Sequence, residues 1–299
     1  MQLLRLKVVL AAIDDDESSI NILRGAHELA AAANARLHVV HVAPSAAASD
    51  TSVRSAHAER ESAIGAIFQH AGLEATDVSL HLPTGDPAHV IRSLADWIRA
   101  DVIVLGRHRQ RADGRREIGS TALRVVTHSW APCLILSQSM RLPLERVLAP
   151  IDLSDVSRGA LVVALSWASA LRGAAATIGD TPGETVGLTV LYVDTSHDTR
   201  EGQTTPNEWL DGAVSRLRDD AGAWASVGVR SETRSDPNVP RAIADYASQH
   251  RPDLVVLGTR GVGLDDVGRL GSVSLDVARR IDVPLLLVPP AMWSTHAAA

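Results

Sequence analysis

Lysine is nearly missing from this chain. Lys7, inside the first apolar strand pattern, is the only one in 299 residues. A Walker A Gly-Lys-[Ser/Thr] phosphate loop is therefore excluded, and no lysine stands ready for Schiff-base chemistry. Cysteine is as scarce. Cys133 alone cannot form an intrachain disulfide or a zinc site of several thiolates. In its apolar run it reads as a small buried hydrophobe, and a reducing, cytoplasmic setting fits. With one Phe and two Tyr, the cores must be built from Val, Leu, Ile and Ala.

Long hydrophobic runs are missing too. The most apolar helical stretch, around Ala160–Leu171, falls short of the ~20 residues that span a bilayer. The N-terminal apolar run, Val8–Ile13, is too short for a secretory leader, and Asp14, Asp15 and Asp16 follow it. A net charge of −6 argues against a nucleic-acid binder, which carries a basic face. The apolar and charged fractions, 45 % and 21 %, suit a soluble globular protein.

What is present is a repeat. Residues 101–136 and 253–288 align without a gap at an offset of 152. Each reads as an apolar strand, a glycine-opened loop, a Gly-Ser helix start, an amphipathic helix and a second apolar strand. The opening RVLAPIDLSD echoes KVVLAAIDDD, and LADW pairs with IADY. Strands alternate with 3.6-period helices throughout, as in right-handed βαβ crossovers with both sheet faces covered. The expectation is an α/β fold in two domains, 1–140 and 144–290, each a doubly wound parallel sheet. A helix is predicted over 207–222, and strand three of the first half over 76–81. Gly173–Gly187 is an insertion, and the tail after Pro290 looks frayed. The short join at 138–143 favours two halves packed as an internal pseudo-dimer, with homodimerisation of the whole chain beyond that.

The loop of the second half carries the chemistry. Gly258, Gly261, Gly271 and Ser272 form G-x-x-G-x9-G-S between a strand and a helix. Gly258 would allow a sharp turn, and Gly261 a close approach of backbone N–H groups to phosphate. Gly271 and Ser272 would open a helix whose unpaired amides and dipole attract anions, with Val273 and Ser274 in the same first turn. The Ser272 and Ser274 hydroxyls would add donors. Such a nest holds a polyphosphate without any lysine. The bland alternative is a tight βα connection with Ser272 as N-cap. In a doubly wound sheet the ligand crevice lies where strand order reverses, beyond the strand ends. That brings Pro150, Ile151 and Asp152 beside the loop. Asp152 would accept hydrogen bonds from ribose or adenine, or else cap the next helix in competition with Ser154 and Asp155.

The order of elements, the Asp after the first strand and the G-x-x-G-x9-G-[S/T] loop resemble the universal stress protein family in its tandem form. The resemblance covers essentially the whole chain. It implies five-stranded sheets of order 3-2-1-4-5, adenine nucleotide alpha hydrolase-like, and dimerisation through the last strand. It also implies ATP, with Mg²⁺, as cofactor. Asp152 would then meet ribose and adenine, and Val193 adenine. Gly258, Gly261, Gly271, Ser272 and Ser274 would take the phosphates, with Arg260 facing them.

The first half departs from this pattern. Its loop runs from Gly106 to Gly119-Ser120, but Arg109 replaces the second glycine, and Asp14–Asp16 form an acidic cluster. Arg107, Arg109, Arg111, Arg115 and Arg116 crowd the loop. They make a solvated face, an ion-paired plug over the aspartates, or an anion contact. Weaker nucleotide binding than in the second half is expected. His38 and His41 have odd spacing and point to opposite sheet faces, which is poor for a shared metal. His81 and the turn before Pro87 read as a helix start. No nucleophile motif or metal triad is present, so the expected protein is an ATP-binding regulatory module, with slow hydrolysis left open. The alternative is an interaction scaffold whose clefts hold no nucleotide. The stress signal and protein partner are not encoded.

Overall fold

A computed structural model of the chain describes residues 6–43, 50–74, 78–107, 118–172, 187–195, 208–209, 211–212, 227–260 and 270–290. Leu6–Met140 forms one compact unit, and the chain from Arg141 onward forms another. The predicted helix over 207–222, the Gly173–Gly187 insertion and the tail after Pro290 fall mostly or wholly outside the described residues, as do His108, Arg109, Arg111, Arg115, Arg116 and Gly261.

The first unit runs β1 (Val8–Ala12), α1 (Ser18–Ala33), β2 (Arg36–Val40), α2 (Asp50–Ala71), β3 (Ser79–His81), α3 (Pro87–Ile98), β4 (Val102–Gly106), α4 (Ser120–His128) and β5 (Cys133–Leu136). All pairs are parallel, in the order β3-β2-β1-β4-β5. The central strands are apolar along their whole length and buried, because helices cover both faces. Strand β3 runs Ser79–His81 within the expected 76–81, whose first two positions lie outside the described residues, and it forms the edge of that series. Burial pushes the Cys133 thiol up to about 12, so it stays protonated and inert, as its apolar run implies.

The second unit repeats the plan with β6 (Arg146–Ile151), α5 (Asp155–Ala170), β7 (Gly187–Asp194), β8 (Gly228–Ser235), α6 (Val239–His250), β9 (Leu254–Gly258), α7 (Ser272–Arg280) and β10 (Leu285–Val288). Its parallel order is β8-β7-β6-β9-β10, which is again third, second, first, fourth, fifth. Among the described residues no helix is long and apolar enough to cross a membrane.

The two units use the same joints. Asp101, just before β4, accepts the Lys7 and Val8 N–H groups at 2.7 and 2.9 Å. Asp253, just before β9, accepts those of Glu145 and Arg146 at 3.0 and 2.9 Å. In both, the carboxylate ties the start of the first strand to the start of the fourth. Helices α3 and α6 also match. Asp86 and Asn238 cap their starts, and Arg99 and Arg251, both left-handed, end them. These caps set Ile91 against Ile243 and Ala95 against Ala247. The LADW–IADY pairing expected from the sequence is therefore three residues out of step, and Trp97 corresponds to Gln249 rather than to Tyr246.

Candidate functional site

Beyond the carboxyl ends of β6, β7 and β9 lies a cleft of about 500 Å³. It sits at the reversal of strand order, since β6 is flanked by β7 on one side and β9 on the other. Pro150, Ile151 and Asp152 enter it from β6, Val193 from β7, and Gly258 and Arg260 from β9 and its loop. Gly271, Ser272, Val273 and Ser274 enter from the start of α7. These are all the site residues expected from the sequence except Gly261, which lies outside the described residues. Ser157, Tyr192, Thr195, Val239, Ile243 and Leu257 also line the cleft and were not anticipated. Val239 and Ile243 come from α6, whose approach to the cleft depends on tertiary packing that no local motif announces.

Asp152 sits at the rim. Its Oδ1 accepts the Ser154 N–H at 3.1 Å and the Ser154 hydroxyl at 2.5 Å. Leu153 between them has a left-handed backbone, φ +64, uncommon for a residue with a branched side chain. Ser154 in turn caps α5, accepting the Ser157 N–H at 3.1 Å. Capping therefore belongs to Ser154, not to Asp152.

The loop glycines have different tasks from those expected. Gly258 needs no left-handed backbone. A Cβ there would stand 2.9 Å from Val156 Cγ1 and 3.2 Å from the Arg260 carbonyl oxygen, so glycine lets α5 approach β9 closely. Gly106 does the same in the first unit, where a Cβ would meet Ile22 Cδ1. Gly271, not Ser272, is the N-cap of α7. Its N–H donates to the Thr259 carbonyl at 2.8 Å, and its carbonyl accepts the Leu275 N–H at 3.0 Å. The amides of Ser272, Val273 and Ser274 thus precede the first intrahelical bond and open toward the cleft end of the helix dipole. The buried Ser274 hydroxyl donates to the Gly258 carbonyl at 2.7 Å, which spends its proton on stapling α7 to β9. Among the described residues, the donors this start of α7 and its loop offer an anion are the amides, the exposed Ser272 hydroxyl and Arg260.

In the first unit the same backbone frame carries different side chains. Arg107 N–H bonds the Leu136 carbonyl at 2.8 Å, as Thr259 N–H bonds Val288 at 2.9 Å. Arg107 is only 7 % exposed, so this member of the Arg-rich loop is not a solvated charge. The acidic cluster folds on itself. Asp14 N–H donates to the Ser19 hydroxyl at 2.8 Å, Asp15 N–H to Asp14 Oδ1 at 3.0 Å, and both Ser18 N–H and its hydroxyl to Asp16 Oδ1.

His38 and His41 point apart, as strand alternation requires. His41 Nδ1 lies 3.2 Å from the Ile13 carbonyl. The partner of His38 is His81, across the β2–β3 pairing: Nδ1 and Nε2 are 3.0 Å apart and the rings nearly parallel at 10°. Burial lowers both pKa values below 6.5. No local signal in the sequence marks this pair, because strand register between β2 and β3 is set by the fold. Among the described residues no group of three or more His, Cys, Asp or Glu could hold a metal ion.

The profile of the Universal stress protein family matches residues 5–137 and 143–289. No curated protein matches the chain. Among solved structures, a universal stress protein from Archaeoglobus fulgidus DSM 4304 is 19 % identical. It covers 96 % of this chain and 97 % of its own, with a TM-score of 0.67. A functionally unknown protein from Pseudomonas aeruginosa PAO1 is 12 % identical, covering 98 % and 96 %, with a TM-score of 0.64. A shorter universal stress protein from Archaeoglobus fulgidus, solved in complex with dAMP, is 24 % identical over 44 % of this chain and 96 % of its own, TM-score 0.33.

Proposed function

The chain belongs to the universal stress protein family, with two tandem copies of its domain, and from that premise we propose that it is a regulatory module holding ATP, with Mg²⁺, in the cleft of the second unit. The observation that carries the reading is the chemical polarity of that cleft. One part is apolar, with Ile151, Val193, Val239 and Ile243; another is the start of α7 with its three unpaired amides, the Ser272 hydroxyl and Arg260. A flat, weakly polar base suits the first, and a polyanionic tail the second. The volume of about 500 Å³ is within the range of small-molecule sites.

In this reading Ile151 and Val193 flank the base, and Asp152 accepts from base or ribose while its Oδ1 stays anchored by Ser154. The α7 amides, Gly261 and Arg260 meet the phosphates. Mg²⁺ would be held mainly by the nucleotide's own oxygens. Among the described residues lining the cleft, Asp152 is the one carboxylate and Arg260 the one cation. Thermal unfolding with and without Mg-ATP tests the proposal. Ligand at 100 times its Kd adds about 2.7 kcal/mol to a folded state that alone binds it. Gly261→Arg, which copies the loop of the first half, is expected to erase that gain. An unfolding transition indifferent to Mg-ATP in the parent chain would overturn the reading.

A further inference from the structure

Matching the two units strand by strand exposes a cation present in one and missing from the other. Leu10 of β1 stands opposite His38, and its counterpart Leu148 of β6 stands opposite Thr189. His38 therefore corresponds to Thr189. One strand further, Ser79 corresponds to Arg230 and His81 to Glu232. In the second unit the Arg230 guanidinium donates to Thr189 Oγ1 at 2.9 Å and to the Tyr246 hydroxyl at 3.4 Å, and lies 3.5 Å from Glu232 Oε1. The first unit has Ser79 in place of that cation. It replaces two oxygen acceptors, those of Thr189 and Glu232, with imidazole nitrogens.

We propose that His38 and His81 form a two-imidazole site for a divalent transition-metal ion such as Zn²⁺, occupying the position that Arg230 fills in the second unit. Two nitrogens bound to tetrahedral Zn²⁺ at ~2.0–2.1 Å lie about 3.3 Å apart, close to the observed 3.0 Å, and both rings must turn so that their facing lone pairs converge on the ion. Neighbouring parallel strands fix the spacing, since His38 pairs with Ser79 and Val40 with His81. Both rings are partly exposed, which gives an ion and its waters access. The groove beside His81, lined also by His89, Ser93 and Trp97, leaves room for those waters.

The chemistry balances without a proton leaving. In the neutral pair one ring donates N–H to the other. Binding moves that proton to the donor ring's far nitrogen, and both facing lone pairs then meet the metal. The lowered pKa values keep both rings neutral near pH 7. Arg36, two residues along β2, disfavours charge on His38 and will weaken the site. Two protein ligands make it an exchangeable site rather than a structural one.

Calorimetric titration of the full chain with ZnCl₂ near pH 7.5 tests this. One saturable micromolar event is expected, at least about tenfold weaker in His38→Gln and in His81→Gln and unchanged in His89→Gln. Toward about pH 5 and below, where protons compete for the same nitrogens, it should weaken progressively. Ser79→Arg restores the tethered cation of the second unit and should abolish zinc binding while keeping the far-UV circular dichroism. That variant decides the matter should a histidine variant fail to fold. Absence of saturable binding in the parent chain, or equal binding with Ser79→Arg, overturns the proposal.

Discussion

A single methyl group is a large perturbation at Gly258. It would press on Val156 Cγ1 at 2.9 Å and on the Arg260 carbonyl at 3.2 Å, and the second of these is backbone that cannot rotate away. Gly258→Ala is expected to lower stability by about 1–3 kcal/mol, read as a shifted urea midpoint at unchanged slope. Ser274→Ala strands the buried Gly258 carbonyl and should cost about 1–3 kcal/mol by the same measurement. The sequence singled out these residues, and their structural tasks differ from the ones expected. Gly258 reads as a turn glycine because a G-x-x-G string is visible, whereas the crowding by Val156 comes from a helix about 100 positions earlier. Ser272 reads as the N-cap by residue type, yet Gly271 takes that position through its bond to Thr259.

At the scale of elements, the buried Asp253 holds two strand-start amides, and Asp253→Ala would leave both unpaired. A loss of roughly 1–3 kcal/mol is expected in denaturant unfolding. The β2–β3 edge adds a pH dependence. His38 and His81 have folded pKa values below their unfolded value, so the unfolded chain binds more protons as pH falls through about 6.5. Stability contributed by the neutral pair is present above that pH and lost below it, and His38→Gln should flatten this acid limb in melts recorded between about pH 7.5 and 5. Strand and helix identities were legible because apolar runs and 3.6-residue periods are local signals. The register of α3 against α6 was not. A slip of three residues leaves the same face of a helix apolar, so LADW–IADY and the true pairing look alike in sequence.

At the scale of the whole molecule, one domain written twice has kept its frame and changed its contents. Both units keep the 3-2-1-4-5 order, the Asp joint and the glycine-capped helix after the fourth strand. The repeat made two copies of one α/β unit readable from sequence, the strand order was implied by the family resemblance, and the Asp joint was not anticipated. The contents required side chains in place: Arg107 buried where the second unit has Thr259, and a histidine pair where it has Arg230. If the proposed function holds, these unequal contents predict nucleotide binding far weaker in the first unit than in the second. Titration calorimetry of the intact chain with Mg-ATP measures that directly. One nucleotide per chain, with binding lost in Gly261→Arg, is the predicted result. Two equivalent sites per chain, or no heat at any nucleotide concentration, would contradict it.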